Sequence, residues 1–441
     1  MKSLRSLFIG SALALALVAN VARAADESPF KFEFHGFVVG SLYMQDQILN
    51  SGQGSGLPLA APRPSLELPQ PGVATSKSGT FVGADVRQVR PIFVITGPEA
   101  LGATPKAHFE FDLFGNPNAG ALGYESPNVR LRQAYAELKW GNTTLDAGQH
   151  SAQLLLAQIP TTVAHITNPV AYGAGLIGWR TIGFRATHAI PMEGLKLELA
   201  AEVSHGKWAD ATGAAFPGNV MPGNAPDAIS LAWSSNMPQL VGRVKIDGKA
   251  GDFSFMGYVA GSYEKINLKG FGNSVNPNGV TLQDGSVKTD LNSYAGTLGG
   301  RFAYYPVALN FQVETGRGTA PMIGSMLQFG DIGELGYYAE LGVNIIKEIS
   351  IWGIYGASSL DKNDLQNWAN LAGANLTVAT TTLKSDNQLF GGMFRVMDGG
   401  YALAAEYYQY KTKYLLGTRA APAGTDSTSA YQFIVSGGYF F

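Results

Sequence analysis

Along most of this chain apolar and polar side chains change places at every residue, which is the repeat of a strand and not of a helix. In Phe30 to Met44, Phe30, Phe32, Phe34, Val38, Leu42 and Met44 share one face, and Lys31, Glu33, His35, Ser41 and Tyr43 share the other. Ala107, Phe109, Phe111 and Leu113 alternate with Lys106, His108, Glu110 and Asp112, the sharpest such run in the sequence. Four ionisable groups on one face need water there, which either a wide lumen or the outside of a soluble sandwich would supply. The pattern then recurs: Val129 and Leu131 oppose Arg130 and Arg132, Ile182, Phe184 and Ala186 oppose Arg185, and Leu195 to Val203 opposes Lys196, Glu198 and Glu202. Further segments follow near residues 240, 253, 298, 309, 335 and 401, with less regular ones at Ser350 to Ser358 and Asn387 to Met397. So many segments are hard to fit into a sandwich. In Thr80 to Ile95 the phase slips between Arg87 and Arg90; a bulge would aim both arginines inward, the alternative being that one points to an interface.

The connections alternate in length. Gly141-Asn142, Pro191 to Gly194, Asp247 to Gly251, Pro306-Val307 and Met397 to Gly400 are short, whereas Asp46 to Gly79, Gly206 to Asn236, Ile266 to Asp290, Ser359 to Ser385 and Tyr414 to Ser429 are long. Transmembrane barrels have short turns at one rim and long loops at the other. The pattern predicts an all-β, closed antiparallel transmembrane β-barrel of about sixteen strands, and barrels of that size enclose an aqueous channel.

Composition agrees. Charged residues are 15% of the chain against 46% hydrophobic, with 55 glycines and 19 tyrosines, and no run beyond the amino end is apolar enough for a membrane helix. With 31 basic and 33 acidic residues the charge is nearly balanced, which argues against a nucleic-acid partner. The absence of cysteine argues against a disulfide-stapled scaffold. At the amino end, Lys2 and Arg5, the apolar stretch Leu7 to Val18 and Ala22-Arg23-Ala24 form the three parts of a secretory signal. Residues 1–24 are therefore expected to be cleaved and 25–441 to form one barrel domain; a helical anchor is the alternative, but the apolar stretch is short for a span.

Two stretches carry a family resemblance. FEFDLFG (Phe109 to Gly115) and VRLRQAYAELKWGNTTLDAGQ (Val129 to Gln149) resemble the third to fifth strands of Gram-negative general porins. The acidic strand followed by arginines is especially similar to the DcaP-like porins, with phosphate-selective porins more distant. The final run AYQFIVSGGYFF, ending on Phe441, resembles the closing strand of a bacterial outer-membrane barrel, an ordinary half-buried strand being the plainer reading. These resemblances imply an outer-membrane porin embedded in the lipid bilayer, a passive channel for small hydrophilic solutes. They also imply a sixteen-stranded barrel, usually a homotrimer, with the third external loop folded into the pore, and recognition of Phe441 by the barrel assembly machinery. DcaP-like porins further imply anions such as dicarboxylates. An outer-membrane barrel enzyme (lipase-like) and a plugged structural or adhesive barrel are the alternatives.

Position makes His150 to Gly178 the third loop. It holds no Asp, Glu, Lys or Arg, unlike the acidic inward loop of general porins, and would narrow the pore by bulk, with Leu154, Gln158 and His165 as candidate constriction residues. Ser151 to Gln158 is expected to form a short helix ended by Pro160. The loop could instead pack at a trimer interface. With the loop neutral, the wall must supply the field: Arg87, Arg90, Lys106, Arg130, Arg132 and Arg185 are candidate lumen cations, and Glu110 and Asp112 line the same face. The plainer alternative is that they pair with Glu110, Asp112, Asp85 and Asp146 to satisfy the wall. No enzyme signature survives. Ser262 and Lys265 mimic a serine–lysine motif, but an offset of three puts them on opposite faces of a strand. Asp361 to Asp364 lacks the glycine and the glutamate of a calcium loop, and the six histidines lack metal-ligand spacing, so no metal or cofactor is expected.

Overall fold

A computed structural model gives the structure over residues 29–45, 80–114, 128–150, 154–167, 169–178, 180–205, 237–269, 280–282, 284–319, 326, 330–368, 383–417 and 422–441. The expected leader at residues 1–24 and the long loops expected at Asp46 to Gly79 and Gly206 to Asn236 lie outside the described residues.

The alternating segments form β1 (Lys31–Gln45), β2 (Phe81–Thr96), β3 (Thr104–Asp112), β4 (Arg130–Trp140), β5 (Thr143–His150), β6 (Thr181–Met192), β7 (Leu195–His205), β8 (Gln239–Ala250) and β9 (Phe253–Asn267). A two-stranded hairpin, β10 (Val280–Thr281) and β11 (Val287–Lys288), stands outside the main sheet. Then come β12 (Asp290–Tyr304), β13 (Val307–Arg317), β14 (Gly333–Asn344), β15 (Ile349–Leu360), helix α1 (Lys362–Trp368), β16 (Leu383–Asp398), β17 (Tyr401–Gly417) and β18 (Pro422–Phe440). Sixteen of these strands close into one antiparallel barrel, each beside its neighbour in sequence, with β1 sealed against β18. At the seam Phe37 faces Phe440 in register, and Gly36 and Phe441 exchange backbone hydrogen bonds of 2.9 and 3.0 Å. The Phe441 ring lies 5.2 Å from Phe34 and 5.9 Å from Tyr439, so the terminal aromatic fastens the closure.

Closure explains the alternation. Phe34, Leu42, Phe109, Phe184, Val203, Leu298, Leu341, Phe394, Leu403 and Val435 are exposed on the outer face, an apolar surface of the kind that lipid covers. Ser262 points inward and Lys265 outward, as a strand offset of three dictates. A barrel also leaves no sheet edge unpaired. Two irregularities re-aim charged groups. Gln88 and Asp85 on β2 face Val39 and Ser41 on β1, so two residues, Val86 and Arg87, stand against Gly40 alone, and both Arg87 and Arg90 turn inward. On β4, Gln133 and Leu131 face Glu110 and Phe111, leaving Arg132 as the extra residue.

Several expectations change. The loop expected at Tyr414 to Ser429 is largely a strand pair, with Lys411 opposite Ser429 and Tyr414 opposite Asp426; its two polar faces hid the ladder. Of the helix expected over Ser151 to Gln158, residues 151–153 lie outside the described residues, and Leu154 to Gln158 form turns and bends, lying on the inner wall where side-chain packing and wall hydrogen bonds replace the helical ones. Asp361 to Asp364 is a helix cap: the Asp361 carboxylate accepts the Asp364 amide at 2.9 Å at the start of α1.

Candidate pore constriction

The third loop lies inside the barrel and not at an outer surface. Leu154, Leu155 and Ile177 pack on Val241, Tyr258, Ala260 and Ala295 of β8, β9 and β12. Val170, Ala171, Tyr172, Ala174 and Leu176 pack on Tyr338, Ile354, Leu389, Tyr408, Tyr410 and Ile434, which face inward from β14 to β18. The inner wall therefore carries two apolar clusters, a feature that a water-filled lumen alone does not predict. The loop covers them.

Wall carboxylates hold the loop by its backbone, since it has none of its own. Glu406 on β17 accepts hydrogen bonds from the Val163 and Ala164 amides (2.7 and 2.8 Å), the Thr162 hydroxyl (2.7 Å) and the Tyr408 hydroxyl (2.7 Å). Glu340 on β14 accepts from the Thr161 amide and hydroxyl (2.8 and 3.1 Å) and from Asn310 (2.6 Å). The Gly175 amide donates to Ser358 at 2.9 Å, and a Cβ at Gly175 (φ +98°) would run into the backbone of Tyr337. Only glycine lets the loop approach β14 so closely.

The three residues expected at the constriction face the wall instead. Leu154 is buried against β8, β9 and β12, and Gln158 donates to the Gly300 and Phe311 carbonyls at 2.5 and 3.1 Å. His165 sits 3.1 Å from Gln432 with its ring edge-on to Tyr408, and burial holds its imidazole below the ordinary value. All three anchor the loop. Other loop residues, Leu156, Ile159, Ile166, Thr167 and Tyr172, line a slot of about 130 Å³ against the strands β2 to β4.

Across that slot stand the wall charges. Arg90 is 3.2 Å from Glu110, which also pairs with Arg132 at 2.6 Å. Asp112 receives two bonds from Arg130, at 2.9 and 2.6 Å, and one from Arg132 at 2.7 Å. Arg87 is matched to Asp85 at 2.8 Å and carries the Phe114 ring 4.7 Å away. Two of the expected cations stand apart. Lys106 pairs weakly with Glu137 at 3.9 Å near the short-turn rim, because its register partner is Thr96 at the end of β2. Arg185 lies between Asp146 and Glu202 in register and bonds Glu202 at 3.0 and 2.7 Å.

Sequence reasoning missed Arg180, two residues past the expected loop end. It is buried in the slot lining, where desolvation and the nearby Arg132 and Arg130 lower it to about 9, still cationic at neutral pH. The signal was a lone arginine between a neutral loop and a strand. Among the described residues, Arg90, Arg132 and Arg180 line the slot against Glu110, with the Arg130–Asp112 pair beside them.

Comparison with solved structures places the fold among outer-membrane porins. The outer-membrane channel DcaP of Acinetobacter baumannii is 15% identical with a TM-score of 0.59, over 93% of this chain and 97% of that one. The anion-selective porin of Comamonas acidovorans is 11% identical with a TM-score of 0.52, over 93% and 100%. OprB of Pseudomonas putida, at 10% identity and a TM-score of 0.50, covers 93% and 94%. At these identities the likeness is one of architecture: a sixteen-strand porin-like barrel. No family model and no curated protein matches the sequence.

Proposed function

We propose that this protein is an outer-membrane porin, a passive, water-filled channel for small hydrophilic solutes with a preference for anions, dicarboxylates among them. One observation carries the preference. In the narrow slot the cations outnumber the carboxylates, and the loop opposite contributes no charge to offset them. A low-dielectric wall focuses such a field on whatever passes. Arginine suits a carboxylate because its planar fork offers paired donors. The resemblance to DcaP-like porins supports the same solute class, a homotrimer in the outer membrane of a Gram-negative cell, and export by the residue 1–24 leader.

Reversal potentials in a salt gradient across a planar bilayer test this reading. Wild-type channels should favour anions, and the double variant Arg130→Ala, Arg132→Ala should move the potential towards cations, because Arg90 and Arg180 then no longer outnumber Asp112 and Glu110. An unchanged potential removes these arginines from the filter. Absence of any current favours the plugged-barrel alternative.

A further inference from the structure

We propose a second anion site on the short-turn side of the third loop, formed by Arg395 with Trp352 and flanked by Arg301; the inference rests on the channel reading above. Arg90, Arg130 and Arg132 are engaged, each contacting Glu110 or Asp112. Arg301 and Arg395 differ. Both project inward, Arg301 facing Asn310 across β12 and β13, and Arg395 facing Ser350 and Ala404 between β15 and β17. Neither forms an ion pair with any described residue, and the Arg395 Nε is buried without a hydrogen-bond partner.

The nearest carboxylates are occupied. Glu340 lies beyond Asn310 on the same cross-strand row as Arg301, and Glu406 is two residues along β17 from Ala404, the register partner of Arg395. Both already accept hydrogen bonds from the third loop. These carboxylates offset part of the field but leave the guanidinium donors free. Trp352 fixes the geometry: its indole N–H donates to Ser350 at 3.0 Å, and the Arg395 guanidinium lies 5.9 Å from its ring. A guanidinium placed over an aromatic ring is attracted to its face and can still offer donors to a ligand. Arg301 is exposed on the same side of the loop, four strand steps away, on the order of 19 Å around the wall. It supplies charge to the vestibule, and Arg395 the directed contact. The ligand class is a small oxyanion, carboxylate or sulfate-like, held between the slot and the short-turn mouth.

Sidedness makes this testable. Sulfate is added to one side of a bilayer carrying the wild-type channel in chloride, and block of the chloride current is titrated. Block from the short-turn side is expected at lower concentration than from the long-loop side. In Arg395→Gln, Arg301→Gln the half-blocking concentration from the short-turn side should rise by about ten-fold, the loss of one charge-assisted contact. Arg395→Lys should keep part of the block, and the single variant Arg301→Gln, at an exposed position, reports on the vestibule even if the double variant folds poorly. Arg130→Ala, Arg132→Ala should leave short-turn-side block in place. Equal block in wild type and the Arg301 and Arg395 variants overturns the site while leaving the channel standing. A wild type that carries no current overturns the channel itself.

Discussion

Glu406→Ala is expected to release the third loop and raise single-channel conductance by about two-fold or more, the aperture being set by how far the loop stands from the wall. The carboxylate accepts four hydrogen bonds, three of them from Thr162, Val163 and Ala164. Alanine leaves two buried amides without an acceptor, at about 1–3 kcal/mol each, and removes the charge that held the hydroxyls. Glu406→Gln should be much milder. Its carbonyl oxygen can keep both amides, and its NH₂ can donate to the Thr162 and Tyr408 hydroxyls, which are able to reverse their roles. The barrel should still close in both variants, because its ladder does not pass through the loop. Bilayer recording of the pair checks the order; equal conductance in wild type and Glu406→Ala would mean that the loop is held elsewhere.

The second large effect is expected at Asp112, which is fully buried and binds Arg130, Arg132 and the Phe114 amide. Asp112→Asn takes the charged partner from Arg130 and leaves Arg132 to share Glu110 with Arg90. Removing one partner of a buried ion pair costs about 3–5 kcal/mol, and the cost here lies at the lower end because the Arg130 side chain is partly exposed. Thermal unfolding of the detergent-solubilised protein should fall, and the reversal potential should move further towards anions. Loss of stability with no change in selectivity would assign Asp112 to the wall alone.

How much of this was legible in the sequence depended on what each face touches. Where lipid lies on one side and water or polar groups on the other, alternation is clean, and β3 and β7 could be read residue by residue. Where the inner face meets the third loop, Tyr338, Ile354, Leu389 and Tyr410 are apolar inside a barrel whose outside is apolar too, and β15 and β16 lose their contrast. Charges were legible as inward-facing, and pairing with Asp85, Glu110 and Asp112 stood as the plainer alternative, but which arginine meets which carboxylate was not legible. Arg185 has a carboxylate on each neighbouring strand, and only side-chain geometry shows its bonds to Glu202. The third loop was legible by position and neutrality, but which of its faces met the wall was not. Leu154, Gln158 and His165 proved to be the anchors, and Leu156, Ile159 and Ile166 line the slot.

The account stands on a wall with lipid outside and a narrowed aqueous passage within. Because the chain has no cysteine, single cysteines report on this without background. A charged, membrane-impermeant thiol reagent applied during bilayer recording should cut the current of Ile159→Cys, whose side chain opens into the slot, and leave that of Leu341→Cys, on the outer face, unchanged. Modification of Leu341→Cys at the rate of Ile159→Cys, or a current indifferent to modification at Ile159, would contradict it.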